Sequence, residues 1–308
     1  MERSEREAAR VAIVGAGALG TLLASCFSRA GIRTRVLVRS AERARTLRRE
    51  APASESTDEA AALLPATFLF LCVKSYQTGE AAARIATAVA ATPVPVVSLQ
   101  NGWGHLEILE RALPGTALIA GTTSLGAFWD EEGRLHESTA GITTLALWTP
   151  EAEGQAASAA RLFVAANLRA ETAPNARENL WRKLVLNVAV NPLTAVHDIV
   201  NGAVADSPAL YALAVAAARE AVAVGAARGH LHAPYDPDPL LRALLRDTSG
   251  NRSSMAEDLA HGRKTEADAI LGAVMREAAA AGVRAPVIAS LAERVATLEA
   301  ARAARSPR

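Results

Sequence analysis

Aromatic residues make up only 4% of this 308-residue chain, although 50% of it is hydrophobic. Much of that half is alanine, so the core is expected to rely on close helix packing more than on large rings. Cysteine occurs twice, at Cys26 and Cys72, each inside an apolar segment. Two thiols without a CxxC spacing supply neither a disulfide framework nor a zinc site, and they read as buried free thiols. An excess of one charge is lacking too, with 33 Lys and Arg against 32 Asp and Glu, so the basic surplus of a nucleic-acid protein is missing. The first ten residues, MERSEREAAR, have no apolar signal core. The longest apolar stretch, 11–27, is interrupted by Gly15, Gly17 and Gly20 and is unsuited to a membrane span. The histidines are scattered; His230 and His232 stand two apart with no third ligand evident, so no metal site is expected. The expectation is a soluble protein of the reducing cytoplasm, with neither nucleic acid nor membrane as partner.

The length suggests two domains. Short apolar runs at 11–14 (VAIV), 33–38 (RTRVLV), 68–73 (FLFLCV) and 94–99 (VPVVSL) alternate with helical stretches at 21–30, 41–50 and 79–90. That alternation argues for a doubly wound parallel sheet. Gly31 is placed to cap the first helix. Residues 116–148 change character, with GRLHES and ITTLALW reading as a hairpin or as two late strands. From about residue 174 strand signals stop, and long helices are expected over 176–200, 207–228, 238–247, 252–281 and 285–304. The predicted fold class is therefore α/β plus all-α: a Rossmann domain over 1–172 and a helical domain over 173–308, with an active cleft between them.

The loop GAGALG, residues 15–20, supplies Gly15, Ala16, Gly17, Ala18, Leu19 and Gly20 directly after the first strand and at the start of a helix. The first glycine suits a tight turn, the second a close approach of backbone to a pyrophosphate, and the third close helix–strand packing. The helix start then presents N–H groups to phosphate. A structural turn is the ordinary alternative. About 20 residues past the glycines, where an acid would meet a free ribose 2′-hydroxyl, stands Arg39, followed by Ser40. An arginine there can pair with a 2′-phosphate, which selects NADP(H) over NAD; the alternative is a solvated arginine at a strand end.

The stretch WRKLVLNVAVNPLTAV, residues 181–196, carries Lys183, Asn187 and Asn191 at steps of four, a slowly drifting polar stripe on an apolar helix. Hydride addition to a ketone leaves negative charge on its oxygen. A lysine ammonium can both stabilise that charge and supply the proton, while neighbouring amides hold substrate oxygens without adding charge. Singly, such residues more often snorkel to solvent or touch another helix; three in register point to a ligand face. Pro192 is expected to kink or stiffen the helix just past Asn191.

Taken in order, the glycine loop, VKS with Lys74, LQNG with Asn101, GTT at 121–123, the WRKLVLNVAVNP helix with a following NG, and NRSSMAEDLAHGRKTEADAI resemble the 2-dehydropantoate 2-reductase (ketopantoate reductase) family over residues 10–300. The resemblance implies NADPH-dependent reduction of a 2-oxo acid to a 2-hydroxy acid in pantothenate biosynthesis. It implies Lys183 as general acid and Asn187, Asn191, Asn201, Asn251, Ser253 and Ser254 as substrate-binding residues. It also implies Lys74 and Asn101 on the nicotinamide side, with Glu266 near both cofactor and lysine. By their surroundings alone, Glu266 reads as a surface ion pair of a long helix, near Arg263 and Lys264, and Ser254 with Glu257 as a capping box. One departure stands out: the stretch from Arg39 to Phe68 is short, with the polar APASESTDEA in place of an expected strand and hairpin. Rival readings are a related reductase of another 2-oxo or 3-oxo acid, or an NADP-binding sensor without turnover. The sequence leaves oligomeric state open, a homodimer included. Arg39→Asp is expected to weaken NADPH binding far more than NADH binding in titrations; equal effects would remove the basis for choosing NADP.

Overall fold

The computed structural model describes residues 8–139 and 141–303. The N-terminal residues 1–7, read above for a signal core, and the last residue of the expected final helix lie outside this range. The strands are β1 (Arg10–Val14), β2 (Arg33–Leu37), β3 (Glu55–Thr57), β4 (Phe68–Leu71), β5 (Val96–Ser98), β6 (Leu118–Thr123), β7 (Gly126–Trp129), β8 (Leu135–Thr139), β9 (Ile142–Leu147) and β10 (Arg169–Thr172). Eight of them form one sheet in the order β10-β9-β6-β5-β4-β1-β2-β3. The run from β3 to β6 is parallel throughout and has the order 3-2-1-4-5-6 of a doubly wound nucleotide-binding sheet. β9 joins β6 antiparallel, and β10 lies parallel to β9. β4 is buried at every position and β1 at all but its first, as the continuous apolar runs require of strands covered on both faces.

One expectation is corrected, and an alternative left open is decided. The polar APASESTDEA segment does contain a strand: Glu55–Thr57 pairs with Arg35–Leu37, and Arg35 Nε donates to Glu55 at 2.7 Å. A three-residue, polar, mostly exposed strand is what a sheet edge tolerates, and nothing in its hydrophobicity announces it. Of the two readings of GRLHES and ITTLALW, the structure has two late strands and not a hairpin. β8 pairs with β7 in a separate two-stranded sheet, while β9 enters the main sheet.

The helices are α1 (Ala18–Arg29), α2 (Ala41–Glu50), α3 (Thr78–Ala91), α4 (His105–Ala112), α5 (Gln155–Ala165), α6 (Ala176–His197), α7 (Asn201–Asp206), α8 (Pro208–Ala227), α9 (Asp238–Asp247), α10 (Ser254–Ala260), α11 (Ala273–Ala281) and α12 (Pro286–Ala303). Gly31, at φ +82°, ends α1 as expected. The long helix expected over 252–281 is broken. α10 stops before Gly262, at φ +65°, and a π-helical turn, Asp268–Gly272, precedes α11.

The chain separates into two compact units, one running to Gln100 and resuming over His105–Asn179, the other made of Asn101–Gly104 and the chain from Leu180. The scarce aromatics are concentrated in both. In the sheet unit Phe27, Phe70 and Phe163 pack with ring centroids 5.4–5.5 Å apart. In the helical unit Trp181 is fully buried and its Nε1 donates to the Ala221 carbonyl at 2.9 Å. α8 is long and apolar enough to cross a membrane by length and composition, and its buried side is made of small residues: Ala214, Ala217, Ala218, Ala221, Val222, Val224 and Gly225. That side accepts Trp181 only because residue 225 is glycine, since a Cβ there would stand 2.1 Å from the indole nitrogen. Gly225→Ala is expected to cost about 1–3 kcal/mol, as overpacking of a filled core does. Denaturant melts check this, and an unchanged midpoint would mean that the indole moves aside freely.

Candidate functional site

In the sheet unit the glycine loop meets the demands of a phosphate cradle residue by residue. Gly15 has φ +112°, and a Cβ there would come within 2.8 Å of the Cys72 carbonyl carbon and the Val73 nitrogen. Gly20 is packed so closely that a Cβ would lie 1.9 Å from the Gly15 oxygen. Gly17, between them, faces open space and is the residue from which α1 starts, with no acid in the first turn. A tight turn, an open approach and a close helix–strand contact are the three features that admit a pyrophosphate at a helix start. Ala16, Ala18 and Leu19 are half-buried along this loop.

Arg39 stands exposed after β2. Its guanidinium is 3.8 Å from the Glu80 carboxylate, and it donates at 2.9 and 3.0 Å to the Gln77 amide oxygen when that amide is turned toward it. Such an exposed pairing contributes little and is easily exchanged for another anion. Lys74 follows β4 at the start of the short turn Ser75–Gln77. Sequence reading passed over the residue that shapes this corner, Gln100. Its buried amide donates to the Val73 carbonyl at 3.1 Å and to Thr78 Oγ1 at 2.8 Å, and accepts from Ser98 Oγ at 3.1 Å. The LQNG motif contained the signal, because a glutamine at the end of a buried strand must find partners there.

In the helical unit Lys183 is half-buried on α6. Burial pushes its pKa down to about 8, against the Glu266 carboxylate, which pulls it back up. Glu266 is buried at 5% exposure and accepts from Asn101 Nδ2 at 3.3 Å. It does not lie inside a long helix, as its surroundings in the sequence suggested. It occupies the bend before the π-helical turn, held by Thr265, whose N–H donates to Glu299 at 2.8 Å. The break that frees it is built by Gly262 and by Arg263, whose N–H donates to the Asp258 carbonyl at 2.7 Å and whose side chain donates to that carboxylate at 3.0 Å.

α6 continues through Pro192 to His197. Asn187 is half-buried one turn beyond Lys183, and Asn191, two turns beyond, is buried. Asn201 is buried at the start of α7. Its N–H donates to the Asn251 carbonyl at 2.8 Å and its Nδ2 to Thr248 Oγ1 at 2.9 Å, while its Oδ1 is buried with no hydrogen-bond partner among the described residues. The two serines differ from the expected capping box. Ser253, not Ser254, is the N-cap of α10, accepting from the Ala256 N–H at 3.1 Å. Its hydroxyl also meets Thr194 Oγ1, of α6, at 2.7 Å. Ser254 is exposed. Thr194, fully buried, was the missed residue here; it follows Asn191 by three and extends the polar stripe.

Among the described residues no group of three or more His, Cys, Asp or Glu side chains could hold a metal ion. The cysteines are free, and burial pushes the Cys72 thiol up to about 12, so it is inert as a nucleophile.

Ser253→Ala is expected to lower stability by about 1 kcal/mol through loss of the cap, whereas Ser254→Ala should stay within about 0.5 kcal/mol. Equal thermal midpoints for the two variants would contradict this assignment.

The family model described as ketopantoate reductase PanE/ApbA matches residues 11–150, and its C-terminal counterpart matches residues 175–299. A 2-dehydropantoate 2-reductase of Archaeoglobus fulgidus is 31% identical over 280 residues, covering 89% of this chain and 92% of that protein. The crystal structure of a PanE/ApbA family ketopantoate reductase from Ralstonia eutropha is 27% identical, with a TM-score of 0.84 over 96% of this chain and 99% of its own. A ternary structure of D-mandelate dehydrogenase with NADH and anilino(oxo)acetate shares the fold at 21% identity, with a TM-score of 0.85 over 96% of this chain and 99% of its own. By these matches along nearly its whole length, the chain belongs to the ketopantoate reductase (PanE/ApbA) family of oxidoreductases.

Proposed function

We propose that the protein reduces 2-dehydropantoate to pantoate with NADPH, Lys183 acting as general acid. One observation carries the reading: a half-buried lysine whose ammonium is brought down to about 8 while a buried carboxylate, Glu266, keeps it charged. An acid with that pKa is protonated at neutral pH and still gives its proton up readily. When bound, the reduced nicotinamide supplies the hydride.

The chain's own residues have these parts. The Lys183 ammonium faces the negative charge that develops on the carbonyl oxygen and transfers its proton there. Glu266 sustains the ammonium, and Asn101 holds the carboxylate through its Nδ2. Asn187, Asn191 and Asn251 offer amides to the substrate's oxygens, and the Asn201 Oδ1, without a hydrogen-bond partner among the described residues, accepts from its hydroxyl. Ser254 offers an exposed hydroxyl, while Ser253 serves through its cap and its bond to Thr194. Gly15 to Gly20 would hold the pyrophosphate of the dinucleotide, and Lys74 would serve its nicotinamide side. Arg39 would pair with a 2′-phosphate, the basis for choosing NADP over NAD. The division of labour, with residues 1–172 for the cofactor and 173–308 for substrate and catalysis, is part of the same proposal, with Asn101 as the exception that serves the catalytic carboxylate. So is a cytoplasmic setting, supported by the two free thiols.

A panel of 2-oxo and 3-oxo acids with NADPH, followed by loss of nicotinamide absorbance, tests the substrate. Ketopantoate should give the highest kcat/KM. A faster oxo acid would replace it, and cofactor binding without any turnover would favour a sensor. The ammonium form is the donor, so kcat/KM for reduction should fall as pH rises through about 8. Lys183→Ala should lower kcat by about 10²- to 10⁴-fold with the fold intact; near-normal turnover would exclude this acid.

A further inference from the structure

The segment Asn101–Gly104 poses a physical problem. Two of its four residues are glycines, Gly102 at φ +92° and Gly104 at φ +94°, and such backbone loses much entropy when held in one place. The hydrogen bond from Asn101 to Glu266, at 3.3 Å, is too long to hold it unaided. The loop is nevertheless seated on the helical unit. The Trp103 N–H donates to the Ala269 carbonyl at 2.9 Å, and Gly102 lies so close that a Cβ there would stand 2.5 Å from the same oxygen.

The Trp103 ring packs into an aromatic cluster of the helical unit. It stands edge-on to Trp181, with centroids 5.0 Å apart and planes at 83°, and 4.4 Å from the His230 ring, which is itself 4.6 Å from Trp181. Edge-to-face contact is the favourable arrangement for two such rings. Each partner is fixed in turn. Trp181 is tied to the Ala221 carbonyl. His230 Nε2 lies 2.9 Å from Glu277 Oε2, which also accepts from Arg228 at 2.6 Å. Burial works against charge on Glu277, but the hydrogen bonds from Arg228 and His230 outweigh it and hold the carboxyl below its usual range.

We infer that Trp103, Trp181 and His230 form an aromatic latch that seats the Asn101–Gly104 loop and so sets the position of Asn101 against Glu266. They are positioning residues for the acid–carboxylate pair, and this kinetic consequence rests on the function proposed above. The spacing supports it: Trp103 is two residues from Asn101, Trp181 two from Lys183, and Ala269 three from Glu266.

Two measurements test the latch. Hydrogen exchange of the protein without cofactor, read on a peptide covering residues 101–106, should show faster exchange at residue 103 in Trp103→Leu and in His230→Leu. Unchanged protection in both overturns the latch whatever the enzyme's substrate. Steady-state kinetics should then show kcat lowered about 10- to 100-fold in Trp103→Leu, as a misplacement near 1 Å produces, with KM for the oxo acid little changed and Trp103→Phe close to wild type. Combined with Asn101→Ala, Trp103→Leu should add almost nothing. Additive losses, or a lower melting temperature with unaltered kcat, would reduce the cluster to ordinary core. If Trp103→Leu does not fold, His230→Leu carries both measurements. A wild-type enzyme that reduces no oxo acid refutes the proposed function, and the exchange result still decides the latch.

Discussion

An ammonium group can be withdrawn from water and remain charged only where a carboxylate stands by it. Lys183 and Glu266 meet that condition, and much of the helical unit serves it. The carboxylate is as deeply buried as a side chain of the core. It can be so because the chain approaches it in a bend, with its neighbour Thr265 bonded to Glu299, instead of within a continuous helix whose face would turn it outward. The helix break between α10 and α11 is therefore a requirement of the site.

Most of the sheet unit was legible in the sequence because buried parallel strands write themselves as unbroken apolar runs. VAIV and FLFL lie where their hydrophobicity puts them, and the glycines between β1 and α1 meet three separate steric demands that can be inferred from their spacing. What escaped was structure held by pairing instead of burial. β3 is polar and exposed, and only its neighbour β2 makes it a strand. Likewise β8 and β9, adjacent in the chain, belong to different sheets, which no local pattern could disclose.

The polar stripe was legible for a similar reason: residues four apart on a helix share a face, so Lys183, Asn187 and Asn191 identify themselves. The partners that orient the site were harder to see. Thr194 reads as an ordinary helix residue until Ser253 arrives from nearly sixty residues away, at 2.7 Å. Gln100 sat inside a recognised motif, yet its three hydrogen bonds join the ends of β4 and β5 to the start of α3 and depend on the sheet being assembled. The scarcity of aromatics pointed to close helix packing, as the small buried residues of α8 show, but it did not reveal that the phenylalanines gather in one place and the two indoles of the helical unit in another.

The excursion of Asn101–Gly104 into the second unit has a consequence for how the molecule is made and divided. A polypeptide cut to the region after Leu180 would carry Trp181 without the indole that covers it and Ala269 without its N–H partner. Its core would be left open by four missing residues encoded some eighty codons upstream. The helical half is thus separable on a map of the chain only if those four residues are left out, and during synthesis it is completed around a segment the ribosome delivered long before.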